Sequence, residues 1–114
     1  MHELSMVKAV IDALDDLYEA NEWSAIKSVT LRVGAMRQVI PHILTFAFTA
    51  SIKGTNLEGA ELVIIPVPIE FLCRSCGGRW GESDLGYLCP HCGSKDVDML
   101  QGMEMDIDSL EVEE

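Results

Sequence analysis

The chain has 114 residues, 48% of them apolar, and a formal net charge of −11. That length predicts one compact domain with at most a small satellite, and the apolar share is enough for a core. The acidity repels phosphate backbones, which disfavours nucleic acid as a partner and favours basic or metallic ones.

The chain opens Met1-His2-Glu3. The large side chain of His2 predicts that the initiator Met is kept, so the free amine stays one residue from an imidazole. The amine, the His2 amide nitrogen and the His2 imidazole Nδ1 can close a five-membered and a six-membered ring around one ion. Three nitrogens in a near-plane suit Ni(II) or Cu(II). A fourth position stays open for Glu3, another histidine or an incoming acceptor. Many chains begin this way, so the motif acquires meaning only with the rest of the sequence.

From Glu3 to Asn21, Leu4, Val7, Val10, Ile11, Leu14, Leu17 and Tyr18 recur at helical spacing, with acids on the other face. This predicts an amphipathic helix. Ser24 to Gly34 alternates, with Val29, Leu31 and Val33 on one side, and reads as a half-buried strand. Pro41 can open a second, mostly apolar helix ending near Gly54. Glu61 to Glu70 reads as a strand whose Pro66 and Pro68 demand an edge. A last strand begins near Met103, and its alternation slips at Ser109, where a bulge is expected. Helices on one face of a small three-stranded sheet define an α+β class. A cysteine module is inserted before the last strand. The expected domains are 1–70 plus 99–114, and 71–98.

No apolar stretch has the length to span a bilayer. The start lacks the basic and apolar regions of a signal peptide. A cytoplasmic location with no membrane partner is therefore expected, and thiols stay reduced there. Cys73-x-x-Cys76 and Cys89-x-x-Cys92 lie twelve residues apart. Two such pairs bring four thiolates to one tetrahedral point, with Zn–S bonds of about 2.3 Å. Gly77, Gly78 and Gly93 follow the pairs and permit tight turns. Trp80 to Leu88 can form a hairpin whose Trp80 and Tyr87 cover the metal. A four-thiolate zinc site has no open position, so it holds the fold and does not catalyse.

His91 lies inside the second pair and reads as an exposed knuckle residue, with a tuning or transient-ligand role as the sharper alternative. His42 reads as structural or solvent-facing. Asp106 and Asp108 read as a solvated strand face. No nucleophile–base constellation or phosphate-binding loop is present, so no enzyme activity is expected. Two rivals stay open on the residues alone. One is a zinc-ribbon nucleic-acid or transcription module, weakened by having only Arg74, Arg79 and Lys95 in the ribbon. The other is a rubredoxin-like iron electron carrier, suggested by Cys89-Pro90-His91-Cys92-Gly93.

The residues resemble the HypA/HybF family from end to end. The likeness runs through Met1-His2-Glu3-Leu4-Ser5, Val33-Gly34, Leu44-Thr45-Phe46-Ala47-Phe48, Gly54-Thr55 and Glu58-Gly59-Ala60-Glu61-Leu62. It continues through both cysteine pairs, Gly102-Met103-Glu104 and Ser109-Leu110-Glu111-Val112-Glu113. The resemblance implies a nickel metallochaperone for [NiFe]-hydrogenase maturation. It implies transferable Ni(II) bound through Met1, His2 and Glu3, and a structural Zn(II) on Cys73, Cys76, Cys89 and Cys92. It implies a HypB-like GTPase partner and delivery to the hydrogenase large subunit precursor, and some members also serve urease maturation. His42 stands where the family often has an acid and so inherits no role. Monomer and homodimer both remain compatible with the sequence.

Overall fold

The computed structural model describes residues 3–82 and 86–114. Among them are two α-helices, a short 3-10 turn and two three-stranded sheets, which is an α+β architecture. The chain divides into two compact units. The first takes Met1–Arg32, Val39–Ile65 and Met105–Glu114; the second takes Val33–Gln38 and Pro66–Glu104.

In the first unit, α1 (Glu3–Asn21) packs against α2 (Pro41–Ser51). The α1 core stripe is Met6, Val7, Val10 and Leu14. Leu4, expected in that stripe, is exposed, and Met6 takes the inward place. Met6, Val10 and Leu14 form one row four residues apart, with Val7 beside it, so a narrow stripe does the packing. In α2, Pro41 occupies the first turn, where its missing N–H leaves no bond unmade. Leu44 and Phe48 point inward at 1% and 0% exposure, while Phe46 is 76% exposed. The core is completed by Ile26, Val29 and Leu31 of β1 (Ala25–Gly34) and by Ile52, Leu57 and Leu62.

β1 is the middle strand of the order β2-β1-β6, with β2 (Glu61–Val67) and β6 (Met105–Glu113) at the edges. The edge position of β2 is what Pro66 requires, because proline cannot donate to a ladder. The strand expected over 61–70 is split at Pro68–Ile69, and β3 (Glu70–Cys73) belongs to the other sheet. The Ser24 N–H donates to the Glu113 carbonyl at 2.8 Å, and the Gly34 N–H donates to the Glu104 carbonyl at 2.8 Å. Between these bonds the register slips by one residue. In β6, Asp108 and Ser109 are both exposed, so its alternation changes phase where the sequence pattern does.

In the second unit, β3 is central in the order β4-β3-β5. β4 is Arg79–Trp80 and β5 is Val97–Gln101. Both pair antiparallel with β3, Phe71 facing Trp80 on one side and Met99 on the other. β5 was not expected from the sequence. Gly102, at φ 128°, separates it from β6, so the last strand starts at Met105 rather than Met103. The cysteine module expected at 71–98 lies within this unit.

Candidate metal centre

The two cysteine pairs sit in backbone turns of the same design. The Gly77 N–H donates to the Cys73 carbonyl at 2.9 Å, and the Gly93 N–H donates to the Cys89 carbonyl at 2.8 Å. Both glycines have positive φ, 78° and 75°, a region that side chains disfavour. The Cys73 N–H bonds to the Gly78 carbonyl at 2.9 Å, and the Cys89 N–H to the Ser94 carbonyl at 3.0 Å. Inside each turn a backbone amide aims at the first sulfur. The Cys76 N–H lies 3.4 Å from Cys73 Sγ, and the His91 N–H lies 3.4 Å from Cys89 Sγ. The Ser75 and Ser94 hydroxyls meet at 3.0 Å between the turns.

These turns bring the four sulfurs within 4.8 Å of one another. Cys73 and Cys92 are 3.6 Å apart, as are Cys76 and Cys89. A tetrahedron with metal–sulfur bonds of about 2.3 Å has sulfur edges of about 3.8 Å. The spacing therefore fits one metal ion bound by all four thiolates. Cys73 and Cys89 are buried; Cys76 and Cys92 are exposed. Among the described residues, this is the one cluster with the donors for a metal.

The protonation of the cluster points the same way. The Cys73 thiol is pulled down to about 6, first by the Cys76 N–H, then by the Ser75 N–H and the Cys92 and Cys76 thiols, against the effect of burial. Cys92 is pushed up to about 12. The Ser94 N–H lowers it, but Cys73, burial, Cys89 and Cys76 together outweigh that donor. Cys76 also rises: the Gly78 N–H pulls it down, and Cys73 and Cys89 push it up. One thiolate thus opposes ionisation of its neighbours, and a bound dication removes that opposition.

Strand β5 braces the first turn. Arg74 makes a two-pronged ion pair with Asp98, with Nε 2.8 Å from Oδ2, and approaches Asp96 at 3.5 Å. The Asp98 carboxyl is held below the usual range by this hydrogen bond from Arg74. Arg79 reaches Glu70 at 3.3 Å. Trp80 and Tyr87 meet on Phe71, with ring centroids 5.5 and 5.6 Å away. Phe71 is 5% exposed and is the hub of this aromatic group, a role the sequence reading missed. Its position two residues before Cys73 on a strand, on the same face, was the available signal. The hairpin expected within 80–88 is replaced by β4 pairing with β3; no strand forms among the described residues that follow Trp80 up to Leu88.

Of the three expected nickel ligands, Met1 and His2 lie outside the described residues. Glu3 is the first residue of α1 and is half-buried. His42 is exposed in the first turn of α2, and Asp106 and Asp108 are exposed on β6. His91 is exposed beside Gly78, where an added Cβ would lie 2.7 Å from its Cδ2.

A small α+β protein with four clustered cysteines is thus defined, of a class whose cysteine module has the donors and spacing for one metal ion. Comparison with known proteins makes this particular. The family model described as hydrogenase/urease nickel incorporation, metallochaperone, HypA matches residues 1–112. A hydrogenase maturation factor HypA from Streptomyces avermitilis is 40% identical over 116 residues, covering 100% of this chain and 88% of the relative. One from Aquifex aeolicus is 33% identical over 113 residues, covering 99% and 98%. The solution structure of the Ni metallochaperone HypA from Helicobacter pylori superposes with a TM-score of 0.71 at 28% identity, covering 99% and 98%. The chain belongs to the HypA family of nickel-incorporation metallochaperones. It is a hydrogenase maturation factor and not an enzyme.

Proposed function

We propose that the protein carries Ni(II) at its N-terminus, on the Met1 amine, His2 and Glu3, and hands it on for assembly of a [NiFe]-hydrogenase. The observation that carries this reading is the closed cysteine cluster. Its four sulfurs, within 4.8 Å of one another, complete a coordination shell by themselves. A transferable ion needs an open position, and the terminal amine and the His2 imidazole, adjacent in the sequence, can chelate one without closing its shell. Glu3 begins α1, and the first N–H groups of a helix have no intrahelical acceptor. An amide there can give up its proton to a metal without costing the helix a bond. The amine and imidazole must also lose protons, so nickel is bound at neutral pH and shed on acidification.

The division of labour follows. A nickel-binding domain, 1–70 plus 99–114, carries the cargo. A zinc ribbon, 71–98, holds Zn(II) on Cys73, Cys76, Cys89 and Cys92 as a structural ion. Partners are a HypB-like GTPase and the hydrogenase large subunit precursor, and urease maturation proteins are a second destination. A nucleic-acid role is disfavoured because two of the ribbon's three bases are held by acids of their own chain. Arg74 is held by Asp98 and Asp96, and Arg79 by Glu70.

The test is nickel stoichiometry on untagged protein, on His2→Ala and on protein with one added N-terminal residue. One exchangeable nickel in the first, lost in both variants, is expected. Full nickel binding in both variants refutes the terminal site.

A further inference from the structure

We propose that α1 and β6 frame a docking groove for an extended, basic segment of a partner protein. The segment adds to the outer edge of β6 as a fourth strand of the β2-β1-β6 sheet. β6 ends that sheet and runs nine residues, long enough to pair with a strand of ordinary length. The opposite edge, β2, is interrupted by Pro66.

Beside β6 lies a cavity of about 380 Å³. Ala9, Val10 and Ala13 of α1 form one wall, Leu31 of β1 contributes to the lining, and Met105 and Ile107 of β6 form the other wall. Ala9 and Ala13 stand four residues apart, so at these two positions the helix wall offers only methyl groups and leaves room. An apolar groove along a strand edge suits β-strand addition. The main chain of the incoming segment pairs with the edge, and every second side chain enters the groove.

Charge selects the occupant. Asp106 lines the cavity, and Asp108 and Glu111 follow it along β6. None of the three takes part in a described ion pair. Residues 99–114 contain six acids and no base. Acids on an edge strand repel a second copy of the same edge. They attract a segment that alternates apolar residues with lysine or arginine. A second copy of this chain, at net charge −11, brings the wrong sign.

The test uses the full chain and three labelled peptides: alternating valine and lysine, alternating valine and glutamate, and the valine–lysine peptide N-methylated at alternate residues. Anisotropy measures affinity, and hydrogen exchange locates the contact. The valine–lysine peptide is expected to bind and to slow exchange at β6 amides. The glutamate peptide should not bind, and N-methylation should weaken binding about tenfold or more. Ala13→Leu, which fills the groove, should weaken it to a similar degree. Asp106→Lys with Asp108→Lys, both at exposed positions, gives a second arm should Ala13→Leu disturb the fold. Equal binding of the methylated peptide would show charge attraction alone and overturn the proposal. So would slowed exchange elsewhere, or protection of β6 that grows with protein concentration without peptide. No readout involves nickel, so this proposal stands or falls apart from the terminal site.

Discussion

Gly34→Ala should be among the most damaging single-methyl changes in the protein. Gly34 has φ −73° and ψ 145°, a conformation alanine adopts readily, so backbone strain is not the issue. Space is. A Cβ there would lie 2.1 Å from the Gly102 carbonyl oxygen, 2.2 Å from its carbon and 2.6 Å from the Met103 nitrogen. All three are backbone atoms, so no side chain can swing away. The two segments must part by more than an ångström to reach ordinary contact. The bonds from the Gly34 N–H to Glu104, the Met36 N–H to Gly102 and Arg37 Nε to Met103, at 2.8 to 2.9 Å, stand across that gap. Losing two backbone bonds costs about 2 kcal/mol, and the forced shift adds about 1–3 kcal/mol. Alanine lowers unfolded-state entropy, which returns about 0.4–1 kcal/mol. The net loss is about 2–5 kcal/mol. Urea denaturation of the metal-loaded protein, with exchange rates of the Gly34 and Met36 amides, measures it. Gly59→Ala is the control: its φ is 91° with nothing within 4 Å of an added Cβ, so it carries strain without a clash. A Gly34→Ala loss under about 1 kcal/mol would refute the steric argument.

Cys73→Ser should abolish tight zinc binding and unfold the cysteine turns, read by metal analysis and by loss of exchange protection at Gly77 and Gly93. A chelator strong enough to strip wild-type protein should do the same, because the metal-binding energy is folding energy for such a module. Zinc-loaded protein should be colourless; a red, iron-containing product would support the electron-carrier alternative instead. Phe48→Ala, at a fully buried position, should cost about 3–5 kcal/mol by denaturant titration. Asp98, held low by Arg74, contributes stability above the unfolded carboxylate pKa of about 3.9. That contribution is lost as pH falls through its lower folded value. Asp98→Asn should remove this part of the acid sensitivity; an unchanged pH profile would show the pair to be thermodynamically silent.

Much of the fold was legible because its signals are local. Helical spacing in α1, alternation in β1 and the prolines of β2 each follow from one segment's own geometry. The two CxxC pairs were legible because the chemistry of four thiolates leaves few alternatives. The errors came where neighbours decide. Leu4 fits the helical period yet faces out, because burial of a face depends on what covers it. The segment 61–70 reads as one strand, but β2 ends at Val67 and Glu70 opens β3 in the other sheet, since pairing partners are chosen in three dimensions.

The sequence alone determined the kind of protein: an acidic α+β chain with two cysteine pairs spaced for one metal, matching one family along its length. Tertiary structure decided what only long-range contact can. It made Gly34 and Gly102 touch, made Phe71 the hub of Trp80 and Tyr87, and tied Arg74 to Asp98. It also left β6 at a sheet edge beside a groove. The residue pairs lie 9 to 68 residues apart in the chain, and their meeting depends on how strands and turns close together, which no local pattern encodes.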